Sequence, residues 1–235
     1  MYSRINLLLL VTFFGLMLIS CKDSDEPEKE IDLPETVTDI DGNVYRTIKI
    51  GNQIWMEENL KVTRYNDGTS IPNLADSEEW ASTTVGAYCN FDNDESNVSK
   101  YGRLYNWYAI KSGKLAPEGW RVPNEDDFLF LILYLGGEKV AGGKLREPGT
   151  THWVSSHESI TNESGFSARG AGMRSSVLPQ ASYMEMKERA YFWAVNENNF
   201  IYTWYITSGR NDITRSVNSS PRNSGYSVRC IKKEK

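Results

Sequence analysis

The side chains with chemical potential fall into a few groups along the sequence. Asp92, Asp94 and Glu95 crowd into one run after Cys89, and three carboxylates can supply part of the oxygen shell that calcium takes. The run lacks EF-hand spacing, so a solvated acidic loop is the simpler alternative to a calcium site. His152 and His157 stand in the segment HWVSSH, where a loop gives no dependable zinc geometry and no third ligand is near. Ser155, His157 and Glu158 make a serine–histidine–acid set on paper. Adjacency is not geometry, however, and no Gly-x-Ser-x-Gly elbow accompanies them. No catalytic residue is expected, and recognition is the better-supported chemistry. The second half of the chain carries Trp153, Tyr183, Tyr191, Trp193, Trp204 and Tyr205, whose rings either stack on a sugar or partner surface or fill a core. Arg169, Arg174, Arg210 and Arg215 offer charged hydrogen bonds to an anionic ligand. From these, Trp153, Arg174, Tyr183, Trp193 and Arg210 are the candidate ligand-binding residues. Trp55, Trp107 and Trp120 are assigned to the core.

The elements that must position these groups begin with an address. Arg4 precedes an apolar run from Ile5 to Ile19 that is too short for a comfortable membrane span and fits a secretory signal. Leu18-Ile19-Ser20-Cys21 resembles a bacterial lipobox, which implies acylation of Cys21 and cleavage before it. Residues 1–20 are then a lipoprotein signal peptide. Residues 21–36, rich in Asp and Glu with Pro27 and Pro34, are an acidic, self-repelling tether. Lys22 is not the aspartate of an inner-membrane retention signal, so lipid anchoring in the outer membrane is expected, and the acidic tether resembles signals for display on the cell surface. In that oxidising compartment Cys89 and Cys230 are expected to form a disulfide, the alternative being two buried free thiols.

The chain has 235 residues, a formal net charge of -5, 40% hydrophobic and 24% charged side chains. That balance describes one globular domain, residues 37–235, and excludes wholesale disorder or a polytopic membrane protein. An acidic chain without a basic patch also excludes a nucleic-acid partner. Tyr45 to Ile50, the Gly51-Asn52 turn and Gln53 to Met56 read as a hairpin, and Glu78-Glu79-Trp80 as a brief helical turn. Tyr101 to Ile110 shows helical spacing of Leu104, Tyr105, Tyr108 and Ala109. A second helix is capped by Asn124 with Asp127 as capping-box acid; its body, Phe128 to Leu135, is apolar on every face and so belongs at the domain centre. Beyond Gly143, Phe192 to Ala194, Ile201 to Thr207 and Gly225 to Ile231 read as strands. Tyr202, Trp204 and Ile206 share one face of theirs, and Ile201, Thr203 and Tyr205 the other. The fold class is α+β, with an antiparallel sheet completed by both chain ends.

These motifs together resemble one family. Asp41-Gly42-Asn43-Val44-Tyr45, Ile50 to Met56, Tyr101 to Tyr108, Gly119-Trp120-Arg121-Val122-Pro123, Ala141 to Leu145, Asn162 to Phe166 and Gly225 to Cys230 occur in the order seen in the Fibrobacter succinogenes major paralogous domain. The resemblance implies a C-type lectin-like fold, with two helices, a central antiparallel sheet and long irregular loops. It assigns no single activity. Relatives in that wider fold bind calcium and sugar through Glu-Pro-Asn and Trp-Asn-Asp; here Glu147-Pro148-Gly149 is a partial echo and Trp-Asn-Asp is missing. The reading is a non-catalytic surface lipoprotein that recognises a glycan or a protein. A structural or accessory envelope lipoprotein is the alternative.

Overall fold

The computed structural model describes residues 35–177, 182–195, 200–218 and 220–234. The signal peptide, Cys21 and all but the end of the acidic tether lie outside the described residues. Among the described residues are twelve strands, five short α-helices and two 3₁₀ turns, a mixed α+β architecture. The strands are β1 (Thr36–Thr38), β2 (Val44–Ile50), β3 (Gln53–Met56), β4 (Tyr88–Cys89), β5 (Leu104–Tyr105), β6 (Trp120–Arg121), β7 (Ala171–Arg174), β8 (Tyr183–Met186), β9 (Arg189–Ala194), β10 (Tyr202–Thr207), β11 (Ile213–Val217) and β12 (Ile231–Lys232). The helices are α1 (Ser77–Ser82), α2 (Val98–Tyr101), α3 (Trp107–Lys111), α4 (Glu125–Tyr134) and α5 (Glu138–Leu145). Among the described residues no helix is long and apolar enough to cross a membrane.

One sheet has the order β1-β2-β3-β12-β6, so strands from both ends of the domain lie side by side, with Ile231 opposite Trp55. Its opening hairpin forms as the turn residues dictate: Ile50 pairs with Gln53 across Gly51, which sits at φ 60°. The folded part starts slightly earlier than expected. Thr36 already pairs with Arg46, and the Glu35 carbonyl accepts from the Thr47 amide at 2.9 Å.

The second sheet, β11-β10-β9-β7-β8, is antiparallel except where β7 meets β9. It stands between two apolar clusters. Trp204, Ile206, Ala190, Phe192 and Ala194 project into one, with Phe128 and Leu131 of α4. Ile201, Tyr205, Tyr191 and Trp193 face the other, with Tyr105, Trp107 and Tyr226. The alternation expected along β10 is thus the division between the two halves of the core. Burial on both faces explains the density of aromatics there.

Two expected elements differ. Tyr101–Ile110 is not one helix: α2 ends at Gly102 with φ 75°, β5 intervenes, and α3 starts afresh with Asn106 Oδ1 accepting from the Ala109 amide. A β-like cap residue and a left-handed glycine each break the helical repeat that Leu104, Tyr105 and Tyr108 suggested. The run 225–231 is buried throughout but forms single bridges rather than one strand, with Gly225 to Arg174, Tyr226 to Tyr105 and Ser227 to Phe192. It stitches several elements together instead of extending one edge.

The expected Cys89–Cys230 disulfide is absent. Both thiols are free and fully buried, Cys89 beside Trp80 and Phe91 and Cys230 beside Tyr226 and Val228, in different clusters. Burial pushes Cys89 up to about 11, against the pull of Arg174, and moves Cys230 upward as well. Native protein should therefore leave both cysteines unmodified by iodoacetamide, whereas denaturant without reductant should expose both to full labelling. Peptide mass spectrometry reads the outcome, and a linked Cys89–Cys230 peptide would overturn it.

Candidate functional site

One concave feature of the described surface is built on α4. Asn124 caps the helix through a complete capping box: its side chain accepts from the Asp127 amide at 2.9 Å, and Asp127 accepts from the Asn124 amide at 2.7 Å. Asp127 also takes a two-pronged ion pair from Arg121 on β6, one arm at 2.7 Å. Gln53 of β3 donates to the Asp127 carbonyl at 3.1 Å and accepts from the Trp55 indole at 3.1 Å. The helix start is thereby pinned to the first sheet.

Only one face of α4 enters the core. Phe128, Leu131, Ile132 and Leu135 are buried, whereas Phe130, Leu133 and Tyr134 are 65%, 70% and 67% exposed. The expectation of a fully central helix is corrected here. The helix is apolar all round because its second face lines a groove of about 890 Å³ between α4 and the β2–β3 turn. Gly51 forms part of the wall, and a Cβ there would come within 3.1 Å of the Tyr134 ring. The groove's polar lining includes Asn52, Asp126 and Lys233, together with Arg121, Asp127 and Glu234. Phe130 and Tyr134, four residues apart, share one helix face about a turn from each other. Such a site can stack ring faces against its wall and hydrogen-bond at its edge.

The residues singled out for ligand binding are mostly elsewhere and mostly buried. Trp153 is 1% exposed with its indole donating to the Ala168 carbonyl at 3.1 Å, and Trp193 is fully buried, donating to the Tyr105 carbonyl at 2.7 Å. Neither can meet a sugar, and both belong to the core reading of these aromatics. Trp55, Trp107 and Trp120 are buried as assigned. Arg174 is wholly buried, stacked between Trp80 and Tyr183, and donates to the carbonyls of Leu74, Ala75 and Asp76. It organises the chain before α1 and has no arm for an outside anion. Tyr183 is partly buried, its hydroxyl donating to Asn93 at 2.7 Å; Arg210 is exposed and closed onto Asp212 by two bonds of 2.8 Å.

The three carboxylates proposed for calcium point to separate tasks. Asp94 accepts from the Ser96 amide and hydroxyl, and Glu95 is taken by Arg103 at 2.8 Å and Asn90 at 2.7 Å, while Asp92 is exposed at φ 55°. The Arg103 bond holds the exposed Glu95 below the usual carboxylate range, against a smaller desolvation effect. Among the described residues no set of His, Cys, Asp and Glu is grouped to hold a metal ion. Nor do Ser155, His157 and Glu158 align: Ser155 Oγ meets Ser208 at 2.9 Å, and His157 Nδ1 meets Ser159 at 2.9 Å.

Phe130, Leu133 and Tyr134 were missed because an all-apolar helix reads as fully buried. The signal available was the surplus: a ten-residue helix needs one apolar face for its core, and this one has two.

Residues 48–232 match the model of the Fibrobacter succinogenes major domain. No curated protein and no solved structure gives a match. The chain belongs to the Fibrobacter succinogenes major domain family.

Proposed function

We propose that this chain is a non-catalytic binding module, anchored in the outer membrane through acylated Cys21, that takes a neutral glycan in the groove beside α4. The observation that carries the reading is the exposure of Phe130, Leu133 and Tyr134 together along one concave wall, where an isolated soluble domain has no reason to leave them. Aromatic rings at successive turns offer stacking platforms, while Asn52, Asp126 and Lys233 supply hydrogen bonds to hydroxyls. A C-type lectin-like fold is part of the proposal, supported by the neighbouring strands from both ends of the domain and the long stretch without helix or strand between α5 and β7. The recognition surface differs from the one the sequence favoured, since it lies on the second expected helix and not on the loops after Gly143.

A second reading, an accessory envelope lipoprotein that docks a protein, is favoured by Leu133 alone, because an exposed aliphatic side chain adds little to sugar stacking. The variants Phe130→Ala and Tyr134→Ala separate the two. Each removes an exposed ring, so stability should stay within about 0.5 kcal/mol of wild type. Titrated calorimetrically with the best-bound neutral oligosaccharide from a glycan array, the double variant should lose about tenfold or more in affinity, as expected for two stacking contacts. Unchanged affinity would remove the groove from the account.

A further inference from the structure

A second cleft, of about 250 Å³, opens where α2, the loop after α5 and the β8–β9 turn meet. It differs from the α4 groove in charge. Lys100 and Lys187 stand on its two sides, His152 and Thr151 close a third, and no carboxylate lines it, although the chain as a whole is acidic. We infer that this cleft binds a single acidic sugar residue, with its carboxylate held between Lys100 and Lys187 and its ring resting on the half-buried Met186.

Each part of the cleft is held by contacts that leave its ligand-facing groups unspent. Glu147, the nearest acid to His152, is engaged on both oxygens: Oε2 meets His152 Nδ1 and Oε1 accepts from Arg169 at 3.2 Å. The histidine ring is further fixed edge-on to Tyr101, with centroids 5.4 Å apart. Its Nδ1 faces the carboxylate, which leaves Nε2 as the nitrogen available to a ligand. The Lys100 carbonyl accepts from Arg169 at 3.0 Å, so Arg169 ties α2 to the Glu147–His152 loop.

Lys187 is the more telling residue. Its backbone sits at φ 61°, a left-handed conformation that a lysine adopts at a cost, and it is clamped from both sides. Its amide donates to the Gly170 carbonyl at 2.7 Å, and its carbonyl accepts from Val154 at 2.9 Å. A Cβ on Gly170 would lie 2.8 Å from the Lys187 Cα, so the glycine permits this close approach. The clamp fixes where the side chain starts, yet among the described residues neither its ammonium nor that of Lys100 forms an ion pair, and the charge of Lys100 helps to lower Asp94. Two unpaired ammonium groups over a partly apolar floor match a carboxylate attached to a ring.

Calorimetry on the full-length chain in detergent tests this with three probes: glucuronate, glucose and sulfate. Glucuronate should bind at least about tenfold more tightly than glucose and sulfate, since it alone supplies both charge and ring. A Lys100→Ala/Lys187→Ala variant, altered only at ammonium groups that make no ion pair, should keep its melting temperature and lose that affinity about tenfold or more. The Phe130→Ala/Tyr134→Ala variant should bind glucuronate as wild type does, which separates this site from the α4 groove. Equal binding of glucose, equal binding of sulfate, or glucuronate affinity indifferent to the double lysine variant would each overturn the inference.

Discussion

Replacing Arg229 by methionine should cost about 3–5 kcal/mol of stability and lower the melting temperature on the order of 10 °C. The side chain is 1% exposed and touches no carboxylate within ion-pairing reach. All three of its nitrogens donate to acceptors from distant parts of the chain. Nε and Nη2 both reach Asn59 Oδ1, at 3.0 and 2.8 Å, while Nη1 reaches the Glu57 carbonyl at 2.8 Å and also the Phe166 carbonyl. The guanidinium lies over the Phe166 ring at 4.4 Å. Burial, aided by the positive charge of Arg169, pushes the group below its ordinary range, opposed by Glu58 and Glu57. Methionine keeps the apolar stem but strands the carbonyls in a dry interior, which is the costly half of a lost hydrogen bond. Lysine should recover less than half of the loss, because a point charge cannot span acceptors that a planar fork joins. Urea denaturation of the three proteins measures this directly. A methionine variant within about 1 kcal/mol of wild type would show that the guanidinium is replaceable packing.

Gly142→Ala should destabilise the domain by about 2 kcal/mol although it improves a helix. In an exposed helix interior the change would gain about 1 kcal/mol. Here a Cβ would stand 2.2 Å from the Asp212 carbonyl oxygen and 2.8 Å from that of Asn211. Neither is the end of a flexible side chain, so the backbone before β11 must move. The neighbouring Gly143 amide donates to the Asn211 carbonyl at 3.0 Å, and that contact would move with it. Overpacking of this kind costs about 3 kcal/mol, which exceeds the propensity gain. The melting temperature should therefore fall; a rise would mean that α5 and the Asn211–Asp212 turn are not in close contact.

Both predictions concern motifs visible in the sequence whose physical reasons were not. Ser227-Val228-Arg229-Cys230 read as an alternating strand, yet its importance lies in a buried cation that joins the Met56–Asn59 segment to Phe166. Ala141 to Leu145 stood out only as a motif of the resemblance, and its Gly142-Gly143 pair is explained by close approach of Asn211–Asp212 and of the Ser159 carbonyl to a helix the sequence did not suggest. What was legible is local. The Gly51-Asn52 hairpin, the Asn124 capping box and the two faces of β10 rest on turn chemistry, capping and period-two alternation, all of which act within a few residues.

The misses share one cause, since burial is decided by the whole fold. Trp153, Trp193 and Arg174 look like ligand contacts in an isolated strip of sequence and become core once both faces of the second sheet are covered. Conversely, Phe130, Leu133 and Tyr134 look like core and become surface, because α4 packs on one side only. The free cysteines follow the same rule: the compartment favoured a disulfide, but the chain puts the two thiols into different clusters.

The proposed recognition of a glycan without a metal ion is tested most directly by applying the full-length chain to a broad glycan array with calcium and again with chelator. The account predicts saturable binding to neutral glycans in both conditions, equal in strength, because Asp92, Asp94 and Glu95 do not converge. Binding that disappears with chelator would contradict the metal-free site, and a folded sample that binds no glycan in either condition would contradict glycan recognition itself.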